Sequence, residues 1–174
     1  MNLRKLAFAF LFALACLAGT NAQNKKPEIK VEYDKFKDGT FVSFEPVTIG
    51  AAKDTTLRLG MLTGFKGKVP KKPNDLMLVF ASPSFVETNQ YKNNRSLIVL
   101  ADDERYVLGE ASYEVKYDMP LYLEVMAVKV PYNTFMKLSE ANKIEMQFGS
   151  TEFALNESFI EALRYLASRI RLQP

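Results

Sequence analysis

Histidine and tryptophan are absent from this 174-residue chain, and its single cysteine stands at position 16. Without imidazole there is no Ser-His-Asp or Cys-His relay, and no zinc site of the ordinary histidine and cysteine kind. Past residue 22 no thiol remains, so disulfides and thiol redox chemistry are closed to the folded part. The Gly-x-Ser-x-Gly elbow, the Walker loop and Gly-x-Gly-x-x-Gly are missing too. No cofactor is implied. The lack of tryptophan weakens a sugar-stacking surface. After Leu17 no apolar run approaches the roughly 20 residues of a spanning helix, so no transmembrane span is expected in the mature chain.

What is present begins with an address. Arg4 and Lys5 precede an uncharged apolar run, Leu6 to Leu17, and Thr20-Asn21-Ala22 offers a small-x-small cleavage site before Gln23. This is the pattern of a secretory signal over 1–22, which predicts an exported protein, periplasmic or extracellular. Ala13-Leu14-Ala15-Cys16 also has the outline of a lipobox, so lipidation at Cys16 and a lipid anchor to the envelope is the alternative address. Removing Arg4 and Lys5 leaves 21 basic against 20 acidic residues, and that near-balance gives no nucleic-acid signature. Residues 23–27 read as a short polar leader, and 28–174 as one domain of ordinary size.

Strand periodicity dominates that domain. Ile29, Val31 and Tyr33 alternate with Lys30 and Glu32, and Asp38-Gly39 turns the chain into Thr40–Phe44, a first hairpin. Pro46 and Gly50 break the pattern until Thr56–Leu62 resumes it. Two glycines, two prolines and four lysines make 64–73 a basic loop. Leu76–Ala81 is apolar throughout, as a strand buried on both faces would be. Ser96–Ala101 and Arg105–Leu108 form a second hairpin about Asp102-Asp103-Glu104. Ser112–Tyr117 alternates, and so does Leu121–Val130, with Leu121, Leu123 and Val125 on one side and Tyr122 and Glu124 on the other.

The last third adds helix. Phe135, Leu138 and Ala141 mark a short one, and after a Gly149-Ser150 hairpin comes an amphipathic run. Asn156 can cap that run, and Leu155 and Ile160 occupy the staple positions. Phe159, Ile160, Leu163, Leu166, Ala167 and Ile170 form its apolar stripe; Arg164 falls outside and is expected to contribute little. The expected fold is mainly β: an antiparallel β-sandwich or partly closed barrel, with a short helix and a C-terminal amphipathic helix packed on it.

Tyr33–Thr40, Ser96–Asp102, Pro131-Tyr132-x-x-Phe135 and Gly149-x-x-Glu152-Phe153-x-Leu155 with its Leu163-x-x-Leu166 helix resemble a loosely defined group of exported bacterial proteins without assigned activity. The resemblance spans nearly the whole mature chain. It implies a bacterial exported domain and transfers no catalytic residue.

Two kinds of site can be weighed. Asp102, Asp103 and Glu104 could hold a hard cation, and Glu110 and Glu114 could flank a glycosidic bond, but neither has motif spacing, so acids solvating turns is the preferred reading. No catalytic or metal-binding residue is therefore assigned. The basic loop offers Lys66, Lys68, Lys71 and Lys72 with Phe65 as an apolar anchor, a surface for anionic lipid, polysaccharide or an acidic partner. Its prolines and glycines explain it without a ligand, so a solvated loop is the preferred reading. Tyrosines 106, 113, 117, 122 and 132 could add an interface. The expectation is a non-enzymatic binding or structural module whose partner is a protein or an envelope component. A carboxylate-dependent glycan hydrolase is the alternative.

Overall fold

The computed structural model describes residues 28–52, 55–68, 73 and 75–170. The signal segment with Cys16, the leader 23–27, and Lys71 and Lys72 lie outside the described residues. Strands β1 (Ile29–Asp34), β2 (Gly39–Ala52), β3 (Thr55–Lys66), β4 (Asp75–Ser84), β7 (Ser112–Asp118) and β8 (Leu121–Pro131) make a six-stranded sheet in the order β1-β2-β3-β4-β8-β7. A four-stranded sheet, β10-β9-β5-β6, takes β5 (Ser96–Ala101), β6 (Glu104–Glu110), β9 (Ile144–Phe148) and β10 (Thr151–Ala154). Every pairing is antiparallel. The fold is a sandwich, not a closed barrel. Ala111, buried and alone between β6 and β7, carries the chain from the small sheet to the large one.

Aromatic rings join the layers. Phe80 of β4 stacks on Phe148 of β9 with centroids 4.4 Å apart. Helix α1 (Tyr132–Glu140) follows β8 directly, and α2 (Glu157–Ile170) follows β10. All six stripe residues of α2 are buried, and so is Ala162. Phe159 meets Phe44 of β2 edge-on at 5.1 Å. Each large side chain so buried is worth about 1.5–3 kcal/mol. The N-terminus of α2 is closed as its sequence implies: Asn156 Oδ1 accepts the Phe159 N–H at 2.9 Å, with Leu155 and Ile160 buried beside it. Arg164 is not idle. Its guanidinium donates to the Ala141 carbonyl at 2.8 Å, tying α2 to the end of α1. Among the described residues, no helix is long and apolar enough to cross a membrane.

Two local expectations are corrected. Pro46 and Gly50 do not end β2; the strand absorbs them at register shifts between Phe44 and Val47 and between Thr48 and Gly50. The loop assigned to 64–73 begins later, because β3 pairs through to Lys66. The alternation of β8 is as expected, and the structure assigns its faces: Glu124, Met126, Val128 and Val130 lie inward, opposite the side that Leu123 and Val125 take. Those two join Leu62, Met77 and Val79 in a second, smaller apolar cluster on the outer face.

Candidate functional site

The acids fall apart as a catalytic group. Asp102, with φ of 49°, accepts backbone N–H bonds from Asn142 at 3.0 Å and Lys143 at 2.9 Å, stapling the β5–β6 turn to the α1–β9 connection. Asp103 is exposed. Glu104 accepts from the Tyr106 hydroxyl and, at 3.3 Å, from Lys137. The tyrosine bond leads in holding the Glu104 carboxyl below its usual range, and the same bond pushes the Tyr106 phenol up to about 12. Glu110 lies in the small sheet, 3.6 Å from Arg95, while Glu114 lies in the large one. Among the described residues, no three acids converge as metal ligands.

The lysine surface keeps its charge and changes its ring. Phe65 is a correction: 8 % exposed and opposite Thr40 in the ladder, it belongs to the core and cannot anchor anything. Its strand position places it on the interior side with Leu59 and Met61. Lys66 and Lys68 are exposed. The ring standing out nearby is Phe36, 90 % exposed in the β1–β2 turn. The signal for it was in the chain: an aromatic between two lysines in the middle of a turn bounded by Asp34 and Asp38-Gly39.

The opposite end of the large sheet holds a site that sequence reasoning missed. Glu124 is fully buried. Its carboxylate accepts the Tyr113 hydroxyl at 2.8 Å, the Thr88 hydroxyl at 2.8 Å and the Tyr91 N–H at 3.3 Å. These donors are neutral, and two belong to the 85–95 connection, which the carboxylate thereby holds against β8. Burial first, then the bond to Glu124, pushes the Tyr113 phenol up to about 12. Burial likewise raises Tyr91, whose ring lies 5.3 Å from Phe148. Across the ladder, Ser82 Oγ is buried without a partner among the described residues.

The anchored connection carries Phe85, 77 % exposed, and Val86 beyond it. Ser84 pairs with Tyr122, and Tyr122 with Tyr117, their rings 4.7 Å apart. Met119, 79 % exposed, tops the β7–β8 turn beside a cis bond to Pro120. Of the five tyrosines weighed for an interface, the structure groups 117 and 122 here. Tyr113 serves Glu124, Tyr106 serves Glu104, and Tyr132 donates to the Ile170 carbonyl at 3.5 Å. Compared with protein-family models, with curated proteins and with solved structures, the chain matches none.

Proposed function

We propose that this chain is an exported, non-enzymatic binding module of the bacterial cell envelope, taking a protein or other envelope partner at the Phe85–Tyr117–Met119–Tyr122 end of the large sheet. The observation that carries the reading is that grouping: Tyr117 and Met119 at the β7–β8 turn and Phe85 on the connection that Glu124 holds are all exposed at one end of the large sheet. Tyr122 is half-buried against Tyr117. Exposed apolar clusters mark interaction sites, and tyrosine, phenylalanine and methionine are the residues interfaces favour. A preorganised loop also lowers the ordering cost of association. The signal pattern over 1–22 and the resemblance to exported bacterial proteins support the address.

Capture from an envelope fraction tests the surface. A discrete partner is expected on the intact protein and is lost with Met119→Asp or Tyr117→Ser, while the circular dichroism stays unchanged. Equal capture by the variants refutes the surface, and sugar release from envelope glycans that depends on an acidic residue replaces the module with the hydrolase. The address is read by intact mass. A mature chain starting at Gln23 supports soluble export, and an acylated Cys16 makes the protein a lipid-anchored one.

A further inference from the structure

Phe36 is held outward by its own turn. Asp34 Oδ1 accepts the N–H groups of Phe36 at 2.9 Å and Lys37 at 3.2 Å, and Oδ2 pairs with Lys37 Nζ at 3.3 Å. Desolvation pushes the Asp34 carboxyl up, but the bonds to Lys37 and Phe36 together outweigh it and hold the carboxyl below its usual range. The Tyr33 hydroxyl donates to Asp38 at 3.0 Å. The end of β3 is fastened alongside, with the Gly67 N–H on the Asp38 carbonyl at 2.8 Å and the Thr40 hydroxyl on the Gly67 carbonyl at 2.6 Å. The result is a hydrogen-bonded tip with one bare ring beside lysines 35, 37, 66 and 68. Lys35 Nζ lies 5.0 Å from the Phe36 ring centre and Lys68 Nζ 5.0 Å from that of Tyr33. Asp34 is paired with Lys37, and Asp38 accepts from the neutral Tyr33 hydroxyl, so Lys35, Lys66 and Lys68 against Asp38 leave the tip a positive excess.

We infer that this tip docks on an anionic phospholipid surface, with Phe36 entering the acyl–headgroup boundary and the lysines resting on the headgroup charge. Charge complementarity selects an anionic partner. The ring selects a bilayer over a soluble polyanion, because an exposed phenylalanine gains more by entering hydrocarbon than by stacking on a hydrated sugar. Tyr33 suits the same boundary, where an aromatic body and a polar end are both satisfied. The tip and the Phe85–Met119 group lie at opposite ends of the sheet, about 30 Å apart along strands of this length. A molecule docked by Phe36 therefore turns its partner surface away from the bilayer.

Vesicle co-sedimentation tests the inference on the exported protein carrying Cys16→Ser, so that no acyl chain contributes. Vesicles of phosphatidylglycerol in phosphatidylcholine are expected to bind at least about tenfold more tightly than phosphatidylcholine alone, and to lose the protein at high salt. Phe36→Ser and the pair Lys35→Glu with Lys68→Glu should each weaken binding about five- to tenfold, with the unfolding midpoint unchanged. Met119→Asp, which breaks partner capture, should bind vesicles as the parent does, so the two readings fail separately. Equal binding to both vesicle types, or vesicle binding indifferent to Phe36→Ser, overturns the inference. Retention on a soluble acidic polysaccharide with no vesicle binding overturns it as well.

Discussion

Phe36 stands on a turn whose side-chain bonds span two, three and five residues, whereas Phe85 and Val86 stand on a connection whose two bonds to Glu124 reach across 36 and 33. Both ends of the large sheet expose apolar side chains, yet one is built from its own hairpin and the other from a buried carboxylate supplied by a distant strand. A local turn on the surface is cheap to form and weakly coupled to the fold, since each of its bonds competes with water. A buried carboxylate receiving three donors is stiff, because the removal of the acceptor leaves every donor desolvated and unpaired. The first end can be redesigned without harm to the core. The second cannot.

The largest expected effect falls on the buried network. Glu124→Ala strips the acceptor from Thr88, Tyr91 and Tyr113 and should cost about 3–5 kcal/mol in urea unfolding. A cost below about 1 kcal/mol would place the two ends on an equal footing and break the comparison. Next comes the far foot of the same connection. Gly149 has φ of +60°, and a Cβ there would sit 2.4 Å from the Asn94 carbonyl oxygen. Gly149→Ala should therefore cost about 2 kcal/mol or more and loosen the Phe85 end, seen as faster amide exchange over 85–95.

The alkaline limb offers a gentler probe. Tyr113 ionises in the folded state near about 12 against an ordinary 10.0, so its raised value stabilises the fold fully below pH 10 and progressively loses that contribution as pH rises toward 12. The fall in urea midpoint across that window should be shallower in Tyr113→Phe. An unchanged slope would detach Tyr113 from the network. The smallest effect belongs to the other end: Asp34→Ala should shift the urea midpoint least of these variants, since the bonds it loses are exposed. A cost like that of Glu124→Ala would mean that the hairpin tip is part of the cooperative core.

Much of the fold was legible because its signals are local. Alternation in Ile29–Tyr33 and Ser112–Tyr117, turn residues at Asp38-Gly39, and the cap, staple and stripe from Leu155 to Ile170 all act within a few residues, and each element formed where they lie. The failures share a cause. Pro46 reads as a breaker because propensity is counted residue by residue, but a bulge in a paired strand absorbs it. Arg164 reads as surface because the helical wheel does not show the end of α1 lying against it.

The candidate sites divide in the same way. Composition and spacing by themselves determined the chemistry that is shut out, the mainly β class, the C-terminal helix with its buried stripe, and the lysines gathered around 64–73. Only the tertiary structure decided which ring accompanies those lysines and which side of β8 faces inward. Period-two alternation divides a strand into two faces but is unchanged when they are exchanged, so it cannot say which one the second sheet will cover. In β3 the covered face took Phe65, so the exposed ring beside the lysines is Phe36 of the β1–β2 turn; in β8 it took Glu124, and the buried acid receives donors from residues 88, 91 and 113. The small sheet broke that symmetry by packing against one face.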